Sequence, residues 1–147
     1  MRKPIEDYTD PTALRTIMAN AKRLNDDKIW CQAFRRLCAL EGRDHTDPLA
    51  RDFYGTLAAY EQLLTEKNGR TTRASRTRQK LKSKGLVQCL EDWAIGSAPT
   101  DGFDLLIKHG LPELTGEYLV LKYPANFSAP AVAAAKRRLG GAGISLP

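Results

Sequence analysis

Seven basic side chains, Arg70, Arg73, Arg76, Arg78, Lys80, Lys82 and Lys84, lie within fifteen residues, and no acid interrupts them. Guanidinium and ammonium groups at this density share one chemistry, the pairing of phosphate or another polyanion. The chain carries 23 Lys and Arg against 17 Asp and Glu. Without these seven, 16 bases would face 17 acids, so the segment accounts for the whole net charge of +6. Like charges at neighbouring helix positions repel, and a surface built only for solubility mixes the signs. The segment therefore points to a polyanionic partner.

The polar residues between the bases fit the same chemistry, since Gln pairs with adenine edges and hydroxyls donate to bases or phosphates. Read as a helix over 70–85, capped by Thr71 or Thr72 and closed by Gly85, the segment places Arg73, Arg76, Lys80 and Lys84 within one quarter-turn. Arg78 and Lys82 fall on the other flank of a narrow stripe formed by Ala74, Thr77 and Leu81. The expected binding set is Arg70, Thr72, Arg73, Arg76, Arg78, Gln79, Lys80, Lys82, Ser83 and Lys84. Duplex DNA is expected ahead of RNA, because a basic helix suits a major groove and the sequence shows no evident exposed aromatic platform. The sharp break at Gly85 has the connectivity of a helix-turn-helix unit; alternatively the basic helix is the second member, following helix 3 across the turn 67–70. A shorter basic run, Lys136, Arg137 and Arg138, is expected to matter much less to binding.

Other residue types offer weaker chemistry. His45 lies in a polar loop beside Asp44, Asp47 and Asp52, where a metal site is conceivable, but Asp47 is already explained as a helix cap. His109, ahead of Gly110, fits a helix C-terminus. Glu61, Glu66 and Lys67 faintly resemble the acid and lysine set of metal-dependent nucleases, without its spacing. Cys31, Cys38 and Cys89 form no CxxC or zinc pattern, and Cys31 and Cys38 are expected as small buried hydrophobes in a reducing compartment. No Gly-rich phosphate loop, GxSxG or HExxH occurs. No catalytic residue, metal or cofactor is expected.

The elements that must position the basic segment follow from caps, breakers and apolar periodicity. Asp10-Pro11 and Asp47-Pro48 each start a helix. Helix 1 runs to about Leu24 with Leu14, Ile17, Met18, Ala21 and Leu24 on one face. Helix 2 buries Trp30, Phe34, Leu37 and Cys38 and stops at Gly42, forming a hairpin with helix 1. Helix 3 runs from Leu49 to about Lys67. Helix 5 covers Leu86 to Ile95, with Val87 among its apolar residues, and ends at Gly96 to Pro99. Thr100 or Asp101 caps helix 6. Helix 7 is expected from Pro112 through Lys122, with YLVLKY helical rather than extended, and Ser128 caps helix 8.

The fold expected is all-α, a compact single domain over 1–147 with six to eight short helices and loose termini at 1–10 and 140–147. With no secretory leader or apolar run of membrane length, a cytoplasmic, bacterial-type protein is expected. The function expected is nucleic-acid binding, as a regulator or an accessory subunit holding DNA for a separate enzyme, with a protein partner or homo-oligomer conceivable. The alternatives are a metal-dependent nuclease built on Asp44, His45 and Asp52 or on Glu61 and Glu66, and a helical adaptor for an acidic protein.

Overall fold

Aspartate caps open the first three helices. The Asp10 carboxylate accepts from the Thr12 amide at 3.0 Å, and Pro11 takes the first position of α1 (Pro11–Arg23), where a missing donor costs nothing. Asp26 accepts from the Ile29 amide ahead of α2 (Asp27–Gly42), and Asp47 from the Ala50 amide ahead of α3 (Pro48–Asn68). Then come α4 (Ser75–Lys84), α5 (Leu86–Ile95), α6 (Asp101–Lys108), α7 (Gly116–Lys122) and α8 (Ala129–Gly141). The computed structural model describes residues 3–96 and 101–147, and among them the chain is all-α, with no strand. The expected breaker at Ser97 to Pro99 and the expected cap at Thr100 lie outside the described residues, as does the Asp101 side chain. No helix among the described residues is long and apolar enough to cross a membrane.

The chain gathers into two compact units, Met1–Ala59 and Tyr60–Pro147. In the first, α1 and α2 form the expected hairpin over a core that includes Leu14, Met18, Trp30, Phe34 and Phe53, with Trp30 stacked on Phe34 at 4.8 Å between ring centroids. Two expectations change here. Leu24 is 66% exposed, because α1 ends at Arg23 and Asn25 turns back at φ 55°. The stretch from Ile5 to Tyr8 is not loose: Ile5 is buried in a 3-10 turn (Ile5–Asp7), and Arg36 Nε donates to the Tyr8 carbonyl at 2.8 Å. Gly42 does more than stop α2. It is buried as the last helical residue, and a Cβ there would collide with the Arg51 carbonyl of α3.

In the second unit α5, α7 and α8 pack on one another around Leu90, Ala94, Leu119, Val120, Ala135 and Leu139. Thr115 divides the helix expected from Pro112 onward. Its hydroxyl donates to the Pro112 carbonyl at 2.8 Å and accepts from the Tyr118 amide at 3.2 Å. Pro112–Leu114 is thus a separate 3-10 turn, and α7 begins at Gly116. YLVLKY is helical through Lys122. Val87 is exposed, since α5 turns its Cys89, Leu90 and Ala94 face to the core instead. Ser128 caps α8 as expected, accepting from the Ala131 amide.

Candidate nucleic-acid interface

Glu61, near the end of α3, decides where the basic helix begins. Its carboxylate accepts from the Ala74 amide at 2.9 Å and from Arg78 Nε and Nη2 at 2.5 and 2.6 Å. A bidentate guanidinium and a backbone amide on one carboxylate fix the chain direction at Ala74, and α4 starts at Ser75. Residues 70–74 are consequently not helical, which corrects the start expected at Arg70 and the cap expected from Thr71 or Thr72. The Thr72 amide donates to Thr65 Oγ1 at 2.9 Å, and the Thr72 hydroxyl donates to the Arg70 carbonyl. Burial alone would raise the Glu61 pKa. The Arg78 and Ala74 hydrogen bonds, with the charges of Arg78 and Arg73, outweigh it and hold the carboxyl below its ordinary range.

The shortened helix sorts its own side chains. Ala74, Thr77, Arg78, Lys80 and Leu81 are half-buried, while Ser75, Arg76, Gln79, Lys82, Ser83 and Lys84 are exposed, and no residue of α4 is fully buried. The narrow apolar stripe is as expected, and the helix leans on the unit without entering it. Arg78 and Lys80, on either flank of that stripe, are drawn to carboxylates: Arg78 to Glu61, and Lys80 Nζ to Asp92 Oδ2 at 2.7 Å. Gln88 donates to the other Asp92 oxygen at 2.8 Å. Hydrogen bonds from Lys80 and Gln88 lower the Asp92 pKa. Among the described residues no carboxylate pairs with Arg70, Arg73, Arg76, Lys82 or Lys84, and all five are exposed.

Arg70, Thr72 and Arg73 thus lie in the non-helical lead to α4, and Arg76, Gln79, Lys82, Ser83 and Lys84 follow as exposed residues of the helix. One residue separates α4 from α5 and six separate α3 from α4, where the usual helix-turn-helix turn takes three or four. Beneath α4, Cys89 is fully buried and its thiol donates weakly to the Thr77 carbonyl at 3.9 Å. Burial raises that thiol's pKa, with the Lys80 charge pulling the other way. Trp93 meets Tyr60 edge-on at 5.1 Å between centroids, and a Cβ on Gly116 would press into its six-membered ring.

The residues considered for other chemistry are otherwise engaged. His45 stacks on Tyr54 with centroids 4.0 Å apart and rings within 5° of parallel. Asp47 caps α3, and Glu61 is held by Arg78 and Ala74. Among the described residues no three His, Cys, Asp or Glu side chains converge to hold a metal ion. Cys38 is buried, which pushes its thiol far up, with the Glu41 charge adding to the effect. Cys31, expected inside with it, is half-buried.

One basic residue has a role that its neighbours in sequence conceal. Arg138 donates to Glu117 Oε2 at 2.9 Å, to the Trp93 carbonyl at 2.7 Å and to the Gly96 carbonyl at 2.5 Å. Glu117 is 2% exposed, and its burial raises its pKa despite the guanidinium beside it. Arg138 thus ties α5, α7 and α8 together, while Lys136 and Arg137 remain exposed. The sequence signal for it was present but weak: Glu117 shares a short helix with the apolar Leu119 and Val120, and a glutamate buried in such company requires a cation.

No protein-family model matches the chain, and neither the curated proteins nor the solved structures yield a match.

Proposed function

We propose that this chain binds nucleic acid through its basic segment, as a regulator or as a subunit that holds DNA for a separate enzyme. The observation that carries the reading is the sorting of the seven bases. Two are satisfied by carboxylates of the same unit, and the five others are exposed with no carboxylate partner among the described residues. Arg70, Arg73, Arg76, Lys82 and Lys84 contact phosphates, and Gln79 and Ser83 lie between them as groups able to reach base edges. Arg78 and Lys80 orient the helix and do not lead the contact. A ten-residue helix with an outward basic face suits the major groove of duplex DNA.

Salt dependence tests the reading. With five phosphate contacts and a slope of about −0.9 per contact, affinity for a duplex falls roughly five-hundred-fold between about 50 and 200 mM salt. Replacing Arg73, Arg76 and Lys82 together by Gln lowers the slope by nearly three units and leaves the melting temperature unchanged. A polyglutamate competitor that displaces the duplex at equal charge concentration would instead assign the segment to an acidic protein.

A further inference from the structure

The sequence shows no aromatic platform near the bases, but the fold brings one there. Between α4 and α5 lies a notch of about 150 Å³ lined by Arg76, Thr77, Lys80, Cys89 and Trp93. A cavity of that size takes a single aromatic ring. Its charged lining is on the exposed side, at Arg76 and the half-buried Lys80 one helical turn further on, and its floor is the fully buried Cys89. Lys80, which contributes to this lining, has its ammonium held by Asp92 at 2.7 Å. A larger cavity of about 230 Å³, which shares Thr77 and Trp93 with the notch, is lined mostly by apolar side chains such as Leu63, Leu64 and Leu105. Unlike that cavity, the notch combines ring size, cations at its edge and an indole wall.

We propose that this notch receives an unpaired pyrimidine base from a strand whose flanking phosphates rest on Arg76 and the other exposed bases of α4. The proposal rests on the nucleic-acid reading and names the form of nucleic acid preferred. The base stacks on Trp93, its carbonyl and ring-nitrogen edge meets Lys80 and the Thr77 hydroxyl, and the one-ring size of the notch favours a pyrimidine over a purine. A base inside an intact duplex cannot reach the notch without leaving its stack. The ligand is therefore a single strand, or a duplex interrupted by a bulge.

The test compares a short perfect duplex, the same duplex with one bulged thymidine, oligothymidylate, oligouridylate and oligodeoxyadenylate, at low salt, by fluorescence anisotropy and by quenching of tryptophan emission. The bulged duplex and oligothymidylate are expected to bind about tenfold more tightly than the perfect duplex, as one base on an aromatic ring gives. They also quench emission, and Trp93→Phe, which keeps a ring between Tyr60 and Gly116, abolishes the quenching. Trp93→Leu loses about tenfold for the bulged duplex and less than about twofold for the perfect one. A melting curve on each variant identifies one that fails to fold, and the wild-type quenching comparison then decides alone. Oligouridylate matching oligothymidylate supports recognition of the base itself. Oligodeoxyadenylate binding as tightly as oligothymidylate overturns the size argument. Equal affinity for perfect and bulged duplexes without quenching overturns the notch proposal while nucleic-acid binding stands, and failure of every probe to bind overturns both.

Discussion

Glu61 receives Arg78 with 40% of that arginine's side chain exposed, whereas Glu117 receives Arg138 with only 12% of its side chain reaching solvent. The chemistry is the same and the consequences are opposite. Glu61 gathers two guanidinium hydrogen bonds and an amide, and its pKa falls below the ordinary range. Glu117 spends one oxygen on Arg138, burial dominates, and its pKa rises. Water at the rim makes the first pair a positioning device for the basic helix. Its exclusion makes the second a structural requirement, because removing either partner leaves a buried charge.

The largest expected effect comes from breaking the buried pair. Arg138→Gln costs about 3–5 kcal/mol at neutral pH, measured by urea denaturation, since the Glu117 carboxylate is left uncompensated. A raised folded pKa means that the contribution of Glu117 to stability is present below the ordinary carboxylate range and lost as pH rises through the folded value. The variant's deficit therefore shrinks in acid, where the orphaned carboxylate protonates. A loss under about 1 kcal/mol, the level of a surface pair, would erase the distinction between the two pairs.

Glu61→Gln is expected to cost about 1 kcal/mol, discounted for the solvent that screens Arg78. Here the sign reverses: a depressed folded pKa gives stability that is present above the ordinary range and lost as pH falls through the folded value. Wild type and variant converge in acid. Released from its carboxylate, Arg78 joins the outward bases, and on the proposed function nucleic-acid affinity is expected to rise with a steeper salt slope. The smallest effect belongs to Asp92→Asn, within about 0.5 kcal/mol because Asp92 is 36% exposed. That variant sharpens the comparison if it raises affinity for nucleic acid while stability stays level.

What the sequence makes legible here is chemistry that acts over three or four residues. Asp10, Asp47 and Ser128 were readable as caps because acceptor and amide lie within one turn. The start of α4 was not, because Glu61 reaches forward to Ala74 and Arg78 across a bend. A helical wheel puts Lys80 on the contact face between Arg76 and Lys84, but cannot show that Asp92, twelve residues on in α5, comes within 2.7 Å of its ammonium. Arg138 was counted with Lys136 and Arg137 for the same reason. Nothing in that run of three bases marks the middle or last as buried, and the partner, Glu117, lies 21 residues earlier. The notch beside Trp93 joins two helices on either side of Gly85, and only their packing makes an aromatic wall for the basic face.

Gly85 links α4 to α5 as a single residue at φ 89° and ψ 168°, and no atom within 4 Å would obstruct a Cβ placed on it. The obstacle to any other residue is therefore handedness and not space, because this backbone region is closed to L side chains. Reflected, these angles become ordinary extended backbone. A D-alanine introduced by chemical ligation would sit at the corner without strain and, by narrowing the unfolded chain's options, would stiffen it. L-alanine, identical in volume and polarity, would force the basic helix to leave the core at another angle. The direction in which this molecule presents its charge thus depends on one carbon atom that has no handedness of its own.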